Sequence, residues 1–155
     1  MGDADMQYKQ ITAEDTAFLT EIFSIPEYDL YFAENETTKA EWRDRIEEHF
    51  LSSQSYIIHD EEKKIGWIMY KIDDRTCMID IIVLHPNERF KGYGKDIISD
   101  ILKCNPQINE IKLDVQKRNK PAIAFYNKIG FVVEGEEMQP VGNGEESYYK
   151  LVLHL

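Results

Sequence analysis

The stretch VLHPNERFKGYGKDIISDIL (residues 83–102) passes from an apolar run, through a proline and a glycine-containing loop, into an amphipathic segment. Ile97, Ile98, Ile101 and Leu102 recur at helical spacing, which predicts a helix that starts near Gly92–Gly94 and ends before Pro106. Gly92 and Gly94 permit positive φ and close backbone approach, so several consecutive N–H groups can point at one anion. The positive end of the helix dipole falls on the same spot, and Arg89, Lys91 and Lys95 surround it with cations. Taken alone, GYG also suits an ordinary strand-to-helix turn; it fits neither the GxxxxGK[ST] phosphate loop nor the GxGxxG fingerprint.

Toward the C-terminus the alternation continues. IKLDV (111–115) reads as a strand, Asn119-Lys120-Pro121 opens a helix and Gly130 closes it. FVVEGEEM (131–138) is a strand, PVGNGEES (140–147) a loop and YYKLVLHL (148–155) a last strand. Toward the N-terminus, YIIH (56–59), GWIMYKI (66–72) and CMIDIIVL (77–84) form an antiparallel meander with turns at DEEKK and DDR. Tyr8–Ile11 is a short first strand. Thr12 caps a helix carrying Phe18, Leu19, Ile22 and Phe23, which Pro26 stops. Thr38 caps a second helix with Trp42, Ile46, Phe50 and Leu51 on its apolar stripe. The expected architecture is a single α/β (α+β) domain over 1–155: a mixed, mostly antiparallel sheet of about seven strands with about four helices.

Composition bounds the function. The chain of 155 residues is 43% hydrophobic and 30% charged, enough to bury one core. Its formal charge of −11 disfavours nucleic acid or anionic membrane as partner. The charge is uneven: residues 1–70 hold 16 acidic and 6 basic side chains, whereas 85–130 hold 9 basic and 5 acidic. An anion-friendly segment thus lies inside an acidic protein. Cys77 and Cys104 form no CxxC pair, so neither a disulfide framework nor a metal site is expected. No apolar run exceeds five residues, far short of the roughly 18–20 residues that cross a bilayer, and MGDADMQYKQ does not read as a signal peptide. A reduced, cytoplasmic setting is the expectation.

Arg89-x-x-Gly92-x-Gly94, after a strand and a proline, resembles the acetyl-CoA pyrophosphate loop of the GNAT superfamily of N-acetyltransferases. LDVQKRNKPAIAFYNKIGF (113–131) resembles that superfamily's second signature, a strand, an Asn and a short helix ending in Gly-Phe. The motifs cover about 78–155, and residues 1–60 match in layout only. The resemblance implies acetyl-CoA as acetyl donor, with a CoA-binding core at about 77–131 and acceptor-side helices at about 12–52. Arg89 would be part of the cofactor site, and backbone amides of Phe90, Lys91, Gly92, Tyr93, Gly94 and Lys95 would hold the pyrophosphate. Ile82, Val83 and Leu84 would pair with the pantetheine arm, in a gap where 77–84 splays from 111–115. Asn119 would hydrogen-bond the cofactor, and Lys91, Lys117, Arg118 and Lys120 are candidates for the nucleotide phosphates.

The same resemblance places Tyr126 where the superfamily often has a tyrosine that serves the departing CoA thiolate. A phenol with pKa near 10 is protonated at neutral pH and can donate; the plainer reading of Phe125-Tyr126 is core packing. The amine must also lose a proton, and with pKa about 10.4 only about one part in a thousand is neutral at pH 7.4, a handicap of roughly 4 kcal/mol. Asp80 is the candidate base, because a carboxylate inside the apolar run MIDIIV is costly without a purpose. Some aminoglycoside acetyltransferases that this stretch resembles carry a catalytic Asp at the matching position, whereas other GNAT enzymes have a Glu near the position of Met78. A structural partnership with a Lys, Arg or backbone donor is the alternative for Asp80. His85 could relay a proton or be a surface residue, Cys77 and Trp67 read as core, and Glu134, Glu136 and Glu137 read as a solvated strand edge or one facing the acceptor.

The resemblance implies that the acceptor is chosen by the first two helices, their connecting loop and the loop between the last two strands, here EYDLYFAENE (27–36) and QPVGNGEES (139–147), both acidic. Glu27, Tyr28, Asp29 and Tyr31 are the candidate contacts, since acidic and aromatic groups suit a cationic small-molecule amine. Acetylation of a peptide N-terminus or lysine is the alternative acceptor reading, and a non-catalytic acyl-CoA sensor is the alternative from another class. Dimers are common in the superfamily, but no residue here establishes one.

Overall fold

A computed structural model describes residues 6–23, 54–88, 92–141 and 144–155. The element order is β1 (Met6–Gln10), a 3-10 turn (Ala13–Asp15), α1 (Thr16–Phe23), β2 (Gln54–Asp60), β3 (Lys63–Asp73), β4 (Thr76–Leu84) and a 3-10 turn (Pro86–Glu88). Then follow α2 (Tyr93–Cys104), β5 (Glu110–Gln116), α3 (Lys120–Ile129), β6 (Val132–Val141) and β7 (Gly144–His154). The seven strands form one sheet in the order β1-β2-β3-β4-β5-β7-β6. Every pairing is antiparallel except β4 with β5, as a helical crossover between them requires. This is the expected mixed α/β sheet. Three α-helices lie among the described residues, and the helix expected after Thr38 falls outside them.

Local chemistry fixes the element ends. The Thr12 hydroxyl accepts from the Glu14 amide (3.2 Å), and Asp15 accepts from the Thr12 amide (2.9 Å), a reciprocal capping box. Lys64 Nζ, 2.6 Å from Asp15, ties that cap to β3. Asp74 turns the β3–β4 hairpin at φ 56, a left-handed conformation that Asp tolerates. Gly130 ends α3 at φ 123, and its N–H bonds back to the Tyr126 and Asn127 carbonyls.

Two apolar clusters sandwich the sheet, because neighbouring strand residues point to opposite faces. Ile58, Ile68, Cys77 and Ile79 pack with Ile97, Ile98 and Ile101 of α2 and Tyr126 of α3. Ile57, Trp67 and Val83 pack on the other side with Phe18, Leu19 and Ile22 of α1. Trp67 is core as expected, and its indole N–H donates to Ser55 Oγ (2.9 Å). Among the described residues, no helix is long and apolar enough to cross a membrane.

The segment 139–147 differs from the expected loop. β6 continues to Val141, β7 begins at Gly144, and Gln139↔Glu146, Pro140↔Glu145 and Val141↔Gly144 are paired. Gly, Pro and Glu disfavour strands in isolation, but the ladder with β7 overrides that local preference.

Candidate active site

Strands β4 and β5 run together only through Thr76↔Glu110, Cys77↔Ile111, Met78↔Lys112 and Ile79↔Leu113, then part. The cause lies on the other edge of β4. Tyr70 of β3 pairs with Ile79 and Met69 with Ile81, so Asp80 is an extra residue without a counterpart. A bulge of this kind bends its strand and increases local twist. Beyond it β4 stays bonded to β3 while β5 stays bonded to β7, and a fork opens between residues 80–84 and 114–116.

Backbone direction along the fork follows from one bond. His85 N–H donates to Ile65 O (2.8 Å), so by alternation Val83 directs its peptide groups at β3, and Ile82 and Leu84 direct theirs at the fork. Of the three residues expected to meet the pantetheine arm, Val83 is therefore occupied by β3 pairing, and its side chain is 4% exposed beneath α1. Gly66, opposite Leu84, is required by space: a Cβ there would overlap the Val83 carbonyl oxygen and lie 2.9 Å from Leu84 Cδ2.

Asp80 sits at the apex of the fork with its side chain 28% exposed and Lys71 Nζ 3.8 Å away. Burial raises its carboxyl above the usual carboxylate range, Lys71 opposes the rise, and the charge of Asp114 adds to it. Asp114 is a site residue that the sequence does not single out. It lies on β5 one position past the last pair with β4, as Asp80 does on β4. Gln139 Nε2 donates to it (2.8 Å), and Lys150 Nζ, 3.8 Å from it, also pairs with Glu137 at 2.7 Å. Glu137 first, and Asp114 second, make Lys150 hold its proton more tightly. The available signal was the alternation in IKLDV, which sets Lys112 and Asp114 on a polar face.

The head of α2 has the expected form. Gly92 takes φ 84 and offers no side-chain cap, leaving the first-turn amides at Tyr93, Gly94 and Lys95 without intrahelical partners. Tyr93 donates its hydroxyl to Asp60 (2.6 Å), which pushes the phenol up to about 12 and ties α2 to the end of β2. A Cβ on Gly94 would lie 2.5 Å from Phe125 Cζ, so α3 docks directly on this turn. Tyr126, the next residue, is buried in the cluster that α2 shares with the sheet. Its ring packs edge-on against Phe125 and Phe131 with centroids 5.3 Å apart in both pairs. Burial raises the phenol above its ordinary value, and nothing among the described residues hydrogen-bonds its hydroxyl.

Other expected residues have structural occupations. Asn119 caps α3 through Oδ1, which accepts from the Ala122 amide (3.3 Å), leaving its amide nitrogen as the donor for a ligand. Lys117 pairs with Glu136 and lies over the Tyr149 ring (5.0 Å). Arg118 bonds Gln116 (2.9 Å) and Glu146 (3.5 Å), and Lys112 pairs with Glu134 (3.3 Å). The glutamates of β6 are exposed on the edge strand of the sheet, where Glu134, Glu136 and Glu137 pair with Lys112, Lys117 and Lys150. Cys77 is fully buried, and burial pushes its thiol up to about 11, as suits a core residue. His85 stands 3.6 Å from Glu21 of α1. Arg89, Phe90 and Lys91, and the acceptor candidates Glu27, Tyr28, Asp29 and Tyr31, lie outside the described residues.

Comparison with known proteins places this geometry. The sequence description of the Acetyltransferase (GNAT) family matches residues 14–131, most of the chain. Among solved structures, spermidine N-acetyltransferase from Vibrio cholerae in complex with CoA and spermine is similar, with a TM-score of 0.77, 18% identity, and coverage of 97% of this chain and 96% of that one. A GNAT-family acetyltransferase from Bacillus anthracis gives a TM-score of 0.79 at 20% identity over 97% and 95% of the two chains. An acetyltransferase from Thermus thermophilus gives 0.75 at 15% identity over 100% of both. The UPF0157 protein YqkA of Bacillus subtilis (strain 168) is 29% identical over 69 residues, 44% of this chain and 20% of that protein, so the chain matches about a fifth of the length of this curated relative. The forked sheet, the glycine-headed helix docked on α3 and the match over most of the sequence agree, and the chain belongs to the GNAT family of acetyltransferases.

Proposed function

We propose that this acetyltransferase moves an acetyl group from acetyl-CoA to the primary amine of a cationic small molecule, by direct transfer in a ternary complex. The observation that carries the reading is the fork, with a partly buried carboxyl raised in proton affinity at its apex and a peptide edge along one side. The donor fits the residues present. The fork-side peptide groups of Ile82 and Leu84 suit the amide-bearing arm, and the unbonded amides heading α2, with Lys95, suit the phosphates. When bound, acetyl-CoA supplies an acetyl group activated as a thioester.

The chain's own residues then divide the work. Asp80 takes the proton from the ammonium, a role that needs an affinity above that of an ordinary carboxylate. The Ile82 amide is a donor on the fork edge for oxygen charge that develops during transfer. Tyr126, protonated because burial disfavours its phenolate, donates a hydrogen bond to the departing sulfur. A cationic acceptor is supported by the charge of −11 and its concentration before residue 71. The fold shared with a spermidine acetyltransferase whose structure holds spermine agrees with that choice.

Incubation with acetyl-CoA and a panel of polyamines, aminoglycosides and basic peptides, read as release of CoA thiol, tests donor and acceptor together. Thiol release with polyamines or aminoglycosides is expected. Release only with peptides overturns the small-molecule acceptor, and binding of acetyl-CoA without release to any amine overturns catalysis in favour of a sensor. Tyr126→Phe removes one hydroxyl and no packing. It is expected to lower kcat by about 10–100-fold with little change in the KM for acetyl-CoA; an unchanged kcat assigns Tyr126 to the core alone.

A further inference from the structure

Two aspartates, not one, stand where the sheet divides. The last paired positions of the fork are Ile79 and Leu113, so Asp80 and Asp114 are the first residues beyond it on their strands. They differ in their partners. Asp114 is held by Gln139 Nε2 at 2.8 Å and by Lys150 Nζ at 3.8 Å, and Lys150 is itself fixed to Glu137 at 2.7 Å. Among the described residues, Asp80 has only Lys71, at 3.8 Å on a side chain that is 70% exposed. A second carboxylate at the apex makes it harder for Asp80 to give up its proton.

We propose that Asp114 is a positioning residue for acetyl transfer: fixed by Gln139 and Lys150 on its own side of the fork, it faces Asp80 with a negative charge that makes Asp80 a stronger base toward the acceptor's ammonium. The proposal rests on the reading of Asp80 as the base. It extends the active site to β5, β6 and β7, giving the Glu137–Lys150–Asp114 chain a purpose. Among the described residues, the charged groups bearing on Asp80 are Lys71 from β3, which opposes the effect, and Asp114 from β5, which causes it. Asp80 bears in turn on Cys77 of its own strand, whose buried thiol is neutral near pH 7. Lys150 and Glu137 act one step further out, through Asp114.

The direction of each change follows. Asp114→Asn removes the like charge but keeps the shape, so Asp80 titrates at lower pH and becomes a weaker base. Lys71→Met removes the opposing cation, so Asp80 titrates at higher pH. Asp114→Glu, which keeps the charge, retains most of the effect.

Carbon-13 carboxyl NMR of the full chain without ligands reads this directly, the Asp80 resonance being identified by its loss in Asp80→Asn. The expected result is a midpoint that falls in Asp114→Asn, rises in Lys71→Met and stays near wild type in Asp114→Glu. The acid limb of kcat/KM should move the same way, with the fastest amine of the panel as acceptor and the KM for acetyl-CoA unchanged. An Asp80 midpoint unmoved by Asp114→Asn overturns the proposal even if Asp80→Asn abolishes turnover. If Asp114→Asn does not fold, a midpoint in Asp114→Glu or Lys71→Met that fails to follow these directions overturns it equally. Midpoints that move as expected in an enzyme that Asp80→Asn leaves fully active uphold the coupling and remove the base assignment instead.

Discussion

Replacing Asp80 with Asn is expected to lower kcat by about 10²–10⁴-fold at neutral pH, the range for removing a positioned general base. The amide is isosteric and can occupy the same bulge, so binding of acetyl-CoA, followed by calorimetry, should change little. The pH dependence gives the sharper signature. Above neutrality the free amine fraction rises about tenfold per unit until the acceptor's own pKa, near 10.4 for a primary amine. The variant's deficit should therefore shrink steadily as pH rises, because solution chemistry performs the deprotonation that Asp80 performed. A variant within twofold of wild type at pH 7 would remove Asp80 from the mechanism. The same substitution bears on stability. The folded protein holds the Asp80 proton more tightly than the unfolded chain does. Stability from this group is thus greatest below the ordinary carboxylate pKa and is lost as pH rises through the higher folded-state value. Asn removes that slope, so the variant should gain stability relative to wild type at neutral pH while losing activity.

Gly66→Ala is expected to do the reverse, damaging structure first and catalysis through it. The new methyl would overlap the Val83 carbonyl oxygen, which belongs to a strand bonded on that side and has no flexible end to yield. Overpacking of this kind costs about 1–3 kcal/mol, read as a lower denaturant midpoint. Relief comes only by pushing residues 82–84 away from β3, toward the fork. Acetyl-CoA affinity should then fall about tenfold, equivalent to about 1.4 kcal/mol. An unchanged midpoint with unchanged affinity would show that the two strands separate freely.

Much of this was legible in the sequence, for physical reasons. The three meander strands and the helices after residue 92 follow from local periodicity and from Gly92, Pro121 and Gly130, whose backbone demands do not depend on the rest of the fold. Asp80 stood out because an apolar strand holds a carboxylate at a cost. What escaped was non-local. Whether a residue is in register or bulged is decided by the partner strand, so MIDIIV does not reveal that Asp80 lacks a counterpart. Lys117 and Arg118 read as free cations because Glu136 and Glu146 meet them only through the β5–β7–β6 ladder. The paired tip of the β6–β7 hairpin was hidden by residues that disfavour strands until paired. Asp114 lay in plain view within a recognised signature, but its importance depends on where the β4–β5 pairing stops.

The bulge at residue 80 carries a consequence at the level of the gene. Side chains along a strand alternate with period two, so removing one residue reverses the facing of everything beyond it until the pairing shifts to compensate. Deleting the codon for Asp80 would let Ile81 follow Ile79 in the unbroken register of β3, straighten β4 and allow it to zip further along β5. The product would be a closed sheet with neither cleft nor base. Read in the opposite direction, the one extra residue that breaks the register of β4 with β3 is also the residue that sets a carboxylate where β4 and β5 part.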